Sequence, residues 1–495
     1  MGSLSPLNLV VVVSVMLMVT YVGHKLSNHA TTSRSFFTAD GGLPWWAVAA
    51  SLYATVVSAV TFVSLPAMIY RPGADLSFIQ LIIGLVIGKI LAAWLFARPY
   101  YESRNIDTVY DYLSIRVSPN ISKGTMILQI LLLIAQNSIV VVSAALVLNV
   151  LTDISLPVSC GLIVGLSVLW SWMGGLSTVV WTDAMLFFIF LFGAVLSAVM
   201  TLTATDIGIL ESFRYWDEQA KLKIFDFSTD PSKSFTLWTG LLAGALISMV
   251  PVSSQAGMQR IRSCRSARDA QKAYSLSAIF LITPIILMGV GLGLSLFYGV
   301  KGVPPELAQR LAVQPDQIFP YFIINEVPDG VSGLFVAAVF AAAISTLDSR
   351  LAELADVSVT NIYRPYMKSD GSEAHYLKVS KGLLVLWGLL FGVFSILLSM
   401  IDGQSLFDLS LMATNTFGGP ILGIFFLARF NIGKPLPTII GVILAVAASL
   451  WMHSQGVTHY WWFPVSVALI VAIGVATSHG TFDRVGIITP DEKAN

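Results

Sequence analysis

The chain has 495 residues, 56% of them hydrophobic and 11% charged, with 28 basic side chains against 28 acidic ones. Soluble domains carry roughly a quarter of charged residues, so this composition excludes one and implies a polytopic membrane protein, while the zero net charge offers nucleic acid no basic surface. Cys160 in an apolar run and Cys264 in a basic stretch make neither a disulfide pair nor a metal set, and the six histidines lack metal-ligand spacing.

Apolar runs of about twenty residues, long enough to cross roughly 30 Å of hydrocarbon, predict helices at 6–27, 43–70, 75–99, 122–151, 155–175, 177–203, 236–258, 274–300, 329–361, 376–401, 404–428, 434–454 and 458–478. The first run has no basic leader or small-residue cleavage site, so it reads as a retained span rather than a signal peptide. About thirteen helices place the termini on opposite sides. Apart from Lys89 and Arg350, which fall inside spans, alternate loops hold nineteen and seven Lys/Arg residues, which predicts the N-terminus outside and the C-terminus inside. The run from Arg260 to Lys272 then reads as a cytoplasmic loop that sets topology. The connections near 204–235 and 301–328 mix charges, aromatics and prolines and suggest short helices over the outer mouth. With no linker or soluble segment, the chain reads as a single membrane domain.

Five is odd, so segments two to six (43–203) and seven to eleven (236–428) would form inverted halves, with 6–27 peripheral and two added helices over 434–478. Each half opens with a segment suited to breaking: Ala54 to Thr61 mixes small, β-branched and hydroxyl residues, and Pro251 removes a backbone donor ahead of Ser253, Ser254 and Gln255. Interrupted segments at matching places point to a transporter's binding site, where freed carbonyls bind cations.

In the ninth segment Ala342, Ser345, Thr346 and Ser349 fall at i, i+3, i+4 and i+7, which puts hydroxyls on one stripe of an apolar helix. Sodium wants about five oxygen ligands, and neutral oxygens hold it reversibly. The same hydroxyls can instead bond carbonyls one turn back. Asp183 with Asp348 and Ser349 suggests a second sodium or a proton site; the alternatives are a helix-end carboxylate reaching water or a pair with Arg350, and Arg350 and Glu353 are spaced for a local ion pair. Lys89 and Asp408 should face protein or water. Trp45, Trp46, Trp461 and Trp462 read as interfacial anchors.

Four stretches together carry a resemblance. Phe37-Thr38-Ala39-Asp40-Gly41-Gly42-Leu43-Pro44-Trp45-Trp46, the run from Trp172-Met173-Gly174-Gly175 to Trp181-Thr182-Asp183, Gln259-Arg260, and Ala341-Ala342-Ala343-Ile344-Ser345-Thr346 resemble the sodium:solute symporter family. The resemblance implies an all-α leucine-transporter-type fold of two inverted five-helix repeats and sodium-driven alternating access. It implies a sodium site made by the carbonyls of Ala54, Val57 and Ala342 and the hydroxyls of Ser345 and Thr346. A further sodium site of some members would map onto Asp183, Ser345, Asp348 and Ser349, with Asp348 standing where a hydroxyl is usual. The solute cavity would lie near Val56, Ser58, Thr61, Phe78, Gln80, Gln136, Ser253, Ser254 and Gln255. Gln136 stands where sialic acid transporters place an arginine, so a carboxylate lacks a bidentate partner there, and glutamine and hydroxyls suit a neutral polyol or sugar.

These readings converge on a sodium-coupled importer of a small polar solute, sugar-like and including the sialic acid type. It would lie in a cell membrane, the inner membrane of a bacterium, and act as a monomeric unit with sodium, solute and lipid as its partners. Coupling to protons, or transport of an amino acid or small carboxylate, is the nearest alternative. A membrane sensor on a transporter fold is the competing class. An enzyme would need a paired nucleophile and base or a metal set, and the sequence displays neither.

Overall fold

The computed structural model describes residues 5–26, 30–57, 59–103, 106–152, 154–313, 315–398 and 406–478. Among them the only extended pairing is an isolated bridge between Leu43 and Cys264, and helices build the rest. Helix α1 (Pro6–Leu26) precedes a broken pair, α2 (Trp45–Ala54) and α3 (Ala59–Tyr70), which together occupy the expected 43–70 segment. Helix α4 (Phe78–Ala92) continues to Glu102, followed by α5 (Pro119–Thr152) and α6 (Leu156–Thr203).

The fifth and sixth expected segments are thus one 48-residue helical run, bent where Gly174 and Gly175 leave helical geometry. Gly175 sits at φ +58°, and a β-carbon there would lie 2.3 Å from the Phe36 carbonyl oxygen, so the bend needs glycine on both counts. The second half opens with α7 (Leu237–Ile247), a tight turn at Val250–Ser253 and α8 (Gln255–Ser263), with a 73° change of direction across the break. Pro251 lies in the turn, where its missing N–H costs no helical bond. There follow α9 (Ala267–Leu276), α10 (Ile282–Lys301), α11 (Val331–Val357), α12 (Glu373–Leu398), α13 (Leu406–Phe430), α14 (Pro435–Ser454) and α15 (His459–Thr477).

Burial sorts these helices by role. Of the most apolar stretch of α11, 89% is buried inside the protein, against 28% for α1 and α14 and 22% for α12, so α11 is the central post and the others present their surfaces to lipid. Helices α4 and α7 approach through a seam of glycines: a β-carbon on Gly84 would fall 2.1 Å from the Gly240 carbonyl oxygen, and one on Gly88 would fall 1.9 Å from that of Ala245. Small residues let two membrane helices pack backbone to backbone where no hydrophobic force draws them together.

The long outer connections do hold short helices, Ile209–Glu218, Pro305–Val313 and Ile318–Asn325. Lys221 in the first of these connections is buried, and its ammonium donates to the carbonyls of Ile69 (2.7 Å) and Arg71 (3.0 Å). A cation at the last carbonyls of α3 satisfies that helix end and locks the connection onto it.

Candidate ion and solute site

The break between α2 and α3 faces the middle of α11. The Ser345 hydroxyl donates to the Ala54 carbonyl at 3.3 Å and the Thr346 hydroxyl to the Val57 carbonyl at 3.2 Å. Both also reach back along their own helix to the Ala342 carbonyl, at 3.3 and 3.1 Å. The local bond and the cross-helix bond therefore coexist. Three carbonyl and two hydroxyl oxygens meet in one buried cage, with none of the five residues more than 8% exposed. Such a cage of neutral oxygens suits a hard monovalent cation and holds it without the grip of several carboxylates.

One turn further in, the structure corrects the sequence reading. Arg260 is not part of a cytoplasmic loop; it is 1% exposed on α8, because the bend after α7 turns the helix inward. Its guanidinium donates to Asp183 at 2.9 Å, to the Ser51 hydroxyl at 2.9 Å, to the Ala256 carbonyl at 3.1 Å, and to the Ser349 hydroxyl. Asp183 Oδ2 also accepts from Ser51 at 2.6 Å and Ser349 at 3.3 Å, and Thr55 lies 3.2 Å from Ser349. Asp183, Asp348 and Ser349 thus come together as expected, but around an arginine. Asp348 faces Ser349 with one oxygen, while its other oxygen and Asp183 Oδ1 have no hydrogen-bond partner. Arg350 pairs with Glu353 at 2.9 Å rather than with Asp348.

The nine residues expected around the solute divide. Val56, at the break, is 45% exposed, Thr61 is half-buried, and Gln136 on α5 donates to Thr414 on α13 at 2.7 Å. Ser58 lies outside the described residues, as does the side chain of Asp408. The others are committed to the protein. Phe78 packs edge-on against Phe235, and the buried Gln80 amide donates to the Phe235 carbonyl at 3.1 Å while accepting from the Asp226 N–H at 3.2 Å, so both hold down the first outer connection. In that connection a hydrogen bond from Lys223 holds the Asp226 carboxyl down to about 2.

Ser253 donates to the Val250 carbonyl, and Ser254 caps α8 by accepting from the Gly257 N–H at 3.2 Å. Gln255 accepts from the Val109 N–H at 2.9 Å and donates to Asp356 at 2.7 Å, while Glu353 accepts the Gln255 N–H. These bonds, with Gln259 donating to Asp356 at 2.9 Å, tie α8 to the inner end of α11. Sequence reasoning gave Ser51, Thr55 and Arg260 no role in the site. Gln259-Arg260 directly after a predicted break was the one available signal for them.

The profile of the Sodium:solute symporter family matches residues 36–432, most of the chain and every oxygen of the cage. The chain belongs to this family. Similar proteins include the sodium/sialic acid symporter NanT of Aliivibrio fischeri, 29% identical with 91% of this chain and 88% of that one aligned, and the sodium-coupled monocarboxylate transporter 1 of Xenopus laevis, 30% identical with 85% and 67% aligned. A solved substrate-bound, outward-open state of a Na+-coupled sialic acid symporter superposes with a TM-score of 0.84 at 25% identity, over 97% of this chain and 98% of that one. The hydantoin-bound transporter Mhp1, at 13% identity and a TM-score of 0.56, shares the fold alone. The symporter therefore has the leucine-transporter-type fold of two inverted five-helix repeats. It is a multi-pass membrane transporter with sodium as coupling ion, and its activity is transport rather than catalysis.

Proposed function

We propose that this symporter imports a small polar organic solute of the sugar or sugar-acid type, driven by sodium held by Ala54, Val57, Ala342, Ser345 and Thr346. One observation carries the reading: two hydroxyls on α11 reach across the molecule to carbonyls at the break between α2 and α3. A cation in that cage draws the opening helix of the first half onto the central post. It therefore favours whichever state keeps the two together, and a ligand shifts a conformational equilibrium only by such differential affinity. The solute then binds beside Val56, Thr61 and Gln136, and rocking of one bundle against the other releases both inward.

The relatives that carry sialic acid and monocarboxylates support a small polar solute over a lipid or peptide. On this reading 43–203 and 236–428 are the inverted halves, the N-terminus lies outside, the C-terminus inside, and a monomer in a bacterial inner membrane suffices. Removing both hydroxyls, Ser345→Ala with Thr346→Ala, abolishes sodium-dependent uptake into proteoliposomes and sodium-dependent thermal stabilisation of the purified protein. Uptake that kept its sodium dependence would falsify the site.

A second cation is favoured by a separate observation. Asp183 and Asp348 bring two carboxylates to one guanidinium in a fully buried cluster, and each keeps an oxygen without a partner. We propose that a second sodium balances them, with a proton as the rival occupant.

A further inference from the structure

Lys89 is one residue from the middle of the 25-residue span Phe78–Glu102, is 2% exposed, and its ammonium has no hydrogen-bond partner. An ammonium has three donors and no acceptor, so at the membrane midplane it needs oxygens or an anion to replace water. The surrounding carboxylates are committed elsewhere. Asp183 is bonded to Arg260, Glu353 to Arg350, and Asp356 to Gln255 and Gln259, while Asp348 faces Ser349. No ion pair involves Lys89 among the described residues.

Its depth is that of the binding machinery. The preceding residue, Gly88, seats α4 against Ala245 and Ser248, and the Ser248 hydroxyl donates to the Leu85 carbonyl at 2.8 Å. Lys89 therefore stands level with the end of α7, immediately before the break at Val250–Ser253. Both broken helices, the hydroxyls of α11 and this unsatisfied cation share the middle layer of the membrane.

We propose that Lys89 is the cationic contact for the transported solute, and that the solute carries a carboxylate. The proposal rests on the reading of the chain as an importer of a small polar solute and narrows it to acids. Gln136 offers no charge to such a group, whereas Lys89 supplies a point charge from a different helix, without the two-pronged geometry of an arginine. An anion entering with sodium meets the one membrane-embedded cation left without a partner among the described residues.

The test uses purified full-length protein at saturating sodium, with thermal stabilisation as readout. N-acetylneuraminate and L-lactate are each compared with an uncharged counterpart, the methyl ester and lactamide. At least one acid stabilises the wild-type protein with an apparent Kd at least about tenfold below that of its counterpart, roughly 1.4 kcal/mol. Lys89→Met, of similar length and no charge, loses that preference, and Lys89→Arg recovers part of it. Stabilisation by sodium alone persists in both variants and certifies that they are folded with the ion cage intact. A wild-type protein that answers to neither acid, or equally to acid and counterpart, overturns the proposal without any variant, and so does Lys89→Met binding the acid as tightly as wild type. Absence of sodium stabilisation in the wild type would instead refute the sodium reading.

Discussion

Replacing Arg260 with methionine removes the one cation that Asp183 touches, and the structure indicates how much that costs. Asp183 and Arg260 are 0% and 1% exposed, so neither charge can turn to water. Breaking a buried pair by deleting one partner costs about 3–5 kcal/mol, because the other charge is left uncompensated. Arg260→Met should fall in that range, since Asp183 keeps the hydroxyls of Ser51 and Ser349 but loses its only charged donor. Asp183→Asn should cost a similar amount by stranding the guanidinium. The double variant strands neither, so the two effects should fail to add by at least about 2 kcal/mol, within the range seen for residues in one network. Denaturant titration of the four proteins in mild detergent closes this cycle. Additive effects, or an Arg260→Met cost below about 1 kcal/mol, would show that the pair is solvated and that the cluster is not the dry junction described above.

Two other substitutions probe different parts of the structure. Gly88→Leu forces side-chain atoms into the Ala245 carbonyl and should abolish the folded protein, whereas Gly124→Leu, with open space around its β-carbon position, should be tolerated; size-exclusion profiles of the two decide this. Asp348→Asn removes one of the two carboxylates around Arg260 and should lower the sodium Hill coefficient of uptake toward one while leaving the first site filled. An unchanged coefficient and affinity would count against a second sodium there.

Much of the ion cage was legible from local pattern. Ser345 and Thr346 declare themselves because helical periodicity aligns polar atoms on a face that lipid would not tolerate, and the run Ala54 to Val57 is short of helix-favouring side chains in an otherwise helical segment. Legibility ends where geometry depends on an angle. Nothing in Gln255 to Ser263 states that this helix turns by 73°, so Arg260 reads as one more positive charge in a basic loop. Gln80 and Gln255 mislead for a related reason. A polar side chain in an apolar segment announces that it needs a partner, but not whether that partner is a solute or a distant backbone, here Phe235 and Val109. The bend at Gly174 and Gly175 was visible as a glycine pair yet read as the end of one helix and the start of another.

The glycine seam between α4 and α7 bears on how the molecule is made. Helix α4 leaves the ribosome long before α7, and until α7 arrives its flat glycine face and the Lys89 ammonium at its centre have no permanent neighbour in the bilayer. The growing first half must hold that span with a provisional partner, either the insertion machinery or another of its own helices. Completing the second half then displaces that partner, so the seam makes late assembly of the two halves, rather than insertion of each helix, the step at which this protein is most exposed to quality control.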